Sequence, residues 1–166
     1  MKRIVCALVC ALALAAPLAG QSNAGSNAAF PGVWRVAELR IPQPDGSIKT
    51  ISTPQPGLML MTAKHYSAVL TTSDKPRLPV KNAPETSAAD LREAYFSLTS
   101  QAGTYAVAGD TITMRAIVSR NVTMMNPSTF NTFTFRFEGT TLWMTSKSTH
   151  EGPVRVPTVF KYVRVE

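Results

Sequence analysis

His65 and Tyr66 stand side by side, and Arg77, Arg115 and Arg120 follow them along the chain. A His–Tyr pair facing a cavity can hold a ligand's polar group or move a proton, because imidazole titrates near neutral pH. The same pair can instead end a hairpin, with His65 capping the turn and Tyr66 filling the core. An arginine inside a protein is a buried cation, and it requires a partner such as a ligand carboxylate. Arg115 alternates with Ile112, Met114, Ala116 and Val118, so it points outwards if those residues fill a core and inwards if the phase is reversed. Met124 and Met125, close to Arg120 and Asn121, suit an adaptable apolar rim or simple packing. His150 lies beside Glu151-Gly152-Pro153, a turn, where solvation is expected.

Other chemistries lack their residues. Both cysteines, Cys6 and Cys10, are near the N-terminus. The two histidines are far apart, which argues against a zinc site. There is no Gly-rich phosphate loop and no Gly-x-Ser-x-Gly elbow, and acidic side chains are too sparse to nominate a catalytic pair. The sequence therefore nominates no catalytic residue, no metal and no cofactor.

The N-terminus has the make-up of a secretory signal: basic Lys2 and Arg3, apolar Ile4 to Ala16, then small polar residues. The apolar run falls short of the roughly 20 residues that span a bilayer. Cleavage is expected after Ala24, with Gly20 the alternative, leaving 25–31 as a flexible lead-in that could tuck Phe30 beneath the fold. A periplasmic or secreted location follows, with no stable membrane insertion after cleavage. The mature chain would have no thiol and no disulfide, and would rely on its core alone. Lys2 and Arg3 account for two of the +7 net charge, leaving +5 without a basic stripe. Nucleic-acid binding is therefore not expected.

The elements that must position these side chains are mostly strands. Ala102–Val107, Thr111–Ser119, Thr129–Phe137 and Thr141–Lys147 are rich in Thr, Val, Ile and aromatic residues, and short Gly-bearing connections join two pairs of them. Phe133, Phe135 and Phe137 alternate with Thr132, Thr134 and Arg136, giving one apolar and one wettable face. Gly32–Arg40 is a first strand, Leu58–Thr62 and Tyr66–Thr71 make a hairpin, and a last strand begins in earnest after Pro157. Residues 41–57 hold four prolines and read as turn and exposed chain. Asp74–Pro84 reads as a loop. Ser87 caps a helix expected over Ala88–Ser100, whose stripe Leu91, Ala94, Tyr95 and Leu98 must cover the sheet. The sum is an all-β domain over 32–166: an eight-stranded antiparallel up-and-down barrel with one short helix between the third and fourth strands.

Gly32-x-Trp34 on the first strand with Arg164 on the last resembles the lipocalin, or calycin-type, pairing. The resemblance implies that Trp34 packs at the barrel floor with the guanidinium across its ring. Pro54-Gln-Pro-Gly57, Thr62-x-x-His65-Tyr66-Ser67, Pro76-Arg77, Gly103-Thr104-Tyr105, Ile112-Thr113-Met114-Arg115 and Val163-Arg164-Val165-Glu166 are similar to the exported bacterial lipocalin-like domain family. The likeness spans about Pro31 to Glu166 and implies a fold, not an activity.

The functional expectation is a protein that binds a small apolar or amphipathic molecule in the barrel. Candidate liners are Met59, Met61, His65, Tyr66, Arg77, Arg115, Met124, Phe133 and Phe135, with Trp143 on the opposite phase from Leu142 and Met144. An isomerase or cyclase using the same cavity, and a filled barrel serving as an interaction module, are the alternatives.

Overall fold

The computed structural model describes residues 28–77, 79 and 86–166. The expected leader and most of the proline-rich loop lie outside the described residues. Among the described residues ten strands form: β1 (Gly32–Pro42), β2 (Ile48–Ile51), β3 (Leu58–Met61), β4 (His65–Thr71), β5 (Leu98–Ala108), β6 (Thr111–Ser119), β7 (Asn131–Glu138), β8 (Thr141–Thr149), β9 (Gly152–Pro153) and β10 (Val159–Arg164). Eight of them close antiparallel in the order β1-β3-β4-β5-β6-β7-β8-β10, with β10 pairing both β8 and β1. Closure leaves no open sheet edge in that ring.

The remaining two strands are short flaps. β2 pairs only with the far half of β1, from Leu39 to Pro42, and β9 only with the end of β8. The β2 segment was expected to be exposed chain. It pairs because Pro54 and Pro56 come after its end, and because Ile51, opposite Leu39, adds an apolar side chain to the core. With β2 counted, the helix falls between the fourth and fifth strands.

That helix, α1 (Ala88–Phe96), starts where Ser87 accepts a hydrogen bond from the Asp90 amide at 3.1 Å and donates its hydroxyl to the Asp90 carboxylate at 2.7 Å. It ends earlier than expected, because Leu98 enters the β5 ladder opposite Thr71. None of its residues is buried, so Leu91, Ala94 and Tyr95 do not form a core stripe. It is fastened instead by the Tyr95 hydroxyl, which donates to the Arg120 carbonyl at 2.8 Å.

Three bulges set which side chains face inwards. In β1 the register shifts between Val36 and Glu38, so Trp34, Val36 and Leu39 all point into the barrel while Glu38 and Arg40 point out. Simple alternation would have grouped Trp34 with Glu38 and Arg40. The other shifts lie between Ala102 and Gly103 and between Thr132 and Phe133. At Gly103 the facing strand comes so close that an added Cβ would sit 1.9 Å from the Arg115 carbonyl oxygen.

Candidate functional site: a barrel sealed at one end

The floor is built by the chain ends. Phe30 and Trp34 are both 0% exposed. The Phe30 ring meets Tyr105, Phe135 and Phe137 with centroids 5.7, 4.8 and 5.1 Å away, the last two edge-on. The Trp34 indole donates to the Phe30 carbonyl at 2.8 Å. Arg164 lies over the indole, 4.3 Å from its centroid, and donates to the carbonyls of Pro31 (2.8 Å) and Ala29. Residues 29–31 are thus fixed to the barrel, and the flexible part of the expected lead-in does not extend to them. Gly32 permits this closure: its φ of 145° suits glycine, and a Cβ would meet an Arg164 guanidinium nitrogen at 2.3 Å.

Above the floor lies a packed layer: Met59, Met61, Tyr66, Ile112, Met114, Leu142, Met144 and Tyr162 are all buried. The inward row then changes character towards the opposite end. Phe133 and Phe160 share the inward face of Ile112 and Met144 by register, yet both are only partly buried, as is Ile41. Gln101 faces inward opposite Ala68, Thr99 opposite Leu70, Ser119 opposite Gln101, and Ser146 opposite Phe133. These four polar residues also keep solvent contact. The interior therefore runs from a dry aromatic floor, through apolar walls, to hydroxyls and an amide near the opening.

Two phenols sit in the middle layer. Tyr66 and Tyr162 are buried, and neither hydroxyl has a hydrogen-bond partner among the described residues. Tyr105, by contrast, donates to the Thr62 carbonyl at 2.6 Å. Burial pushes the Tyr66 phenol up to about 12 and raises Tyr162 as well. Both stay protonated near neutral pH, so they can donate a hydrogen bond to a guest but cannot act as general bases there.

The sequence of a family described as a lipocalin-like domain matches residues 31–159. The chain belongs to that family. Among solved structures, an uncharacterized protein from Bacteroides eggerthii is similar at 13% identity and a TM-score of 0.41, over 81% of this chain and 98% of that one. Likeness at that level carries nothing further. No curated protein matches.

The candidate residues divide by position in this lipocalin-like domain. Met59, Met61, Tyr66, Phe133 and Phe135 face the interior, the first three in the packed layer. His65 is exposed at the floor end; its backbone amide donates to the Thr62 hydroxyl at 3.0 Å, so the Thr62 side chain, not the imidazole, caps the turn. Arg115 is exposed on the outer wall, 4.9 Å over the Phe130 ring, because its neighbours Met114 and Ala116 take the inward phase. Arg77 is exposed, with its guanidinium 3.4 Å from the Ala94 carbonyl. Met124 is partly buried in a 3-10 turn, Val122–Met125, at the open end. Trp143 is on the outside, ringed by Arg40, Arg136 and Lys161 at 5.7, 4.7 and 5.1 Å, and it donates to Glu138 at 2.9 Å. Thr99, Gln101, Ser119, Ser146, Phe160 and Tyr162 were missed. Plain alternation sets all of these but Ser119 in phase with inward neighbours; Ser119 turns inward only past the β5–β6 bulge.

Proposed function

We propose that this lipocalin-like domain is an exported binder of a small amphipathic molecule, whose apolar part enters the barrel from the end opposite Trp34. The observation that carries this reading is the gradient of the inward face. Fully buried rings close one end, while Phe133, Phe160 and Ile41 at the other keep solvent contact beside Gln101, Ser119 and Ser146. A concave apolar surface with a few polar groups suits a small guest. An amphipathic one would leave its polar part among the hydroxyls. The basic, apolar N-terminal stretch Lys2–Ala16 supports export.

Titrating the purified chain with a lipophilic fluorescent probe tests the reading. Saturable binding is expected, and Gln101→Trp should weaken it about tenfold or more by filling the open half. Gln101 is chosen because its side chain makes no hydrogen bond among the described residues, so the melting temperature should stay within a few degrees. Probe binding unaffected by Gln101→Trp would place the site elsewhere, and no binding by any amphiphile would contradict the reading. For export, protein recovered from a periplasmic extract is expected to begin at Gly25. A chain recovered with Met1 still attached would contradict it.

A further inference from the structure

We infer that the guest is an anionic amphiphile and that Arg120, at the rim of the barrel, holds its head group; this rests on the binding reading above. Arg120 follows the inward residue Ser119, and its amide donates to the Ser100 carbonyl at 2.8 Å, beyond the last paired residues of β5 and β6. Its guanidinium lies 4.4 Å from the Tyr95 ring and 5.7 Å from the Phe96 ring. The Tyr95 hydroxyl bonds back to the Arg120 carbonyl, so ring and cation are held on each other. The Nε of Arg120 is shut off from solvent and has no hydrogen-bond partner among the described residues, while the residue as a whole keeps some solvent contact, so a head group would meet the terminal nitrogens of the guanidinium.

A buried donor left unpaired carries an uncompensated desolvation cost, which makes its retention informative. Stacking occupies the faces of a guanidinium but leaves the N–H edge for a carboxylate or phosphate in its plane. The surroundings add positive charge. Arg92 lies 5.4 Å from Phe96, and Arg77 approaches the Ala94 carbonyl near the end of α1. Among the described residues none of these three arginines is in an ion pair. The facing acids are Asp90, bonded to the cap hydroxyl of Ser87, and Glu93, which shares an open recess of about 400 Å³ with Ala89, Arg92, Phe96 and Ser97. Three arginines against Asp90 and Glu93 leave the rim with a net charge of +1. The ends of the helix itself explain only Arg77, which sits at a C-terminal carbonyl, where cations are favoured.

The test compares dodecanoate, dodecyl phosphate and dodecanol by calorimetric titration of the full chain. Both anions are expected to bind about tenfold tighter than the alcohol. In Arg120→Gln that preference should collapse while dodecanol affinity changes less than about twofold, and Arg120→Lys should restore only part of it. Arg136→Gln, on the outer wall, should leave it unchanged. Arg92→Gln is measured alongside and should reduce the preference in part, which keeps the proposal testable if Arg120→Gln does not fold. Equal affinity for acid and alcohol in the native chain, or an undiminished preference in Arg120→Gln or in both glutamine variants, overturns the anion clamp and leaves barrel binding standing. Binding of none of the three overturns both.

Discussion

Trp34→Ala is expected to lower stability by about 3–5 kcal/mol, the range for deleting a large buried aromatic side chain. For a domain of this size that is roughly 10–20 °C in melting temperature. The effect is large because three interactions meet on one ring. The indole is fully buried, its N–H holds the Phe30 carbonyl at 2.8 Å, and Arg164 rests on its face at 4.3 Å. Removing the ring leaves a cavity beside Phe137 and frees the segment that carries Phe30. It also strips Arg164 of the surface that positions it for the Pro31 carbonyl. Trp34→Phe keeps most of the volume and should cost far less, about 1–2 kcal/mol, for the lost hydrogen bond and weaker cation–π contact. Urea and thermal melts measure both. A melting temperature for Trp34→Ala within a few degrees of the native chain would show that the floor does not close the barrel energetically.

Gly103→Val is expected to be comparably damaging, about 3 kcal/mol or more, for a different reason. The position is buried and its φ is ordinary, so conformational freedom is not the issue. Space is: a Cβ would lie 1.9 Å from the Arg115 carbonyl oxygen and 2.9 Å from the Ala116 Cα, both backbone atoms that cannot swing away. The bulge between Ala102 and Gly103 would have to open, and with it the β5–β6 pairing on which Gln101 and Ser119 depend. Gly109→Ala is the contrasting control. A Cβ there meets nothing within 4 Å, but the φ of 61° is left-handed, so a loss of only about 1–2 kcal/mol is expected. If Gly103→Val melted like the native chain, the close approach of the two strands would be wrong.

The contrast between what the sequence made legible and what it hid follows from where the physics is local. The barrel was readable because residues such as Phe133, Phe135 and Phe137 alternate without interruption, and Gly109 and Gly139 mark tight turns with positive φ. Closure was readable from Trp34 and Arg164, whose types explain each other. The phase of β1 was not, because nothing in Val36-Ala37-Glu38 announces a bulge, and one extra residue turns Leu39 inward. The helix stripe misled for a related reason. Tyr95 looks like a core residue, but with its neighbour Phe96 it holds the guanidinium of Arg120, a partner distant in the chain. β2 was hidden by the prolines around it, since a short flap needs only one free edge. The candidate pocket suffered most. Of its rim residues, Ser119 is inward only because of the β5–β6 bulge, whereas Gln101 and Ser146 keep plain alternation with Tyr105 and Met144 but are polar and so did not stand out as liners. His65 and Arg115, conspicuous by type, took the outward phase beside inward neighbours.

The methionines allow the account's central claim, a guest in the open half of the barrel, to be tested directly. Met144 faces inward between Phe135 and Phe160, Met114 lies deeper beside Tyr105, and Met124 is at the open end. The measurement is a titration of ¹³C-methyl-methionine-labelled protein with dodecanoate, followed by NMR. The largest shift is expected at Met144, with a smaller one at Met124 and little change at Met61 beside the floor. Saturating binding that leaves Met144 unmoved would contradict a guest in the barrel.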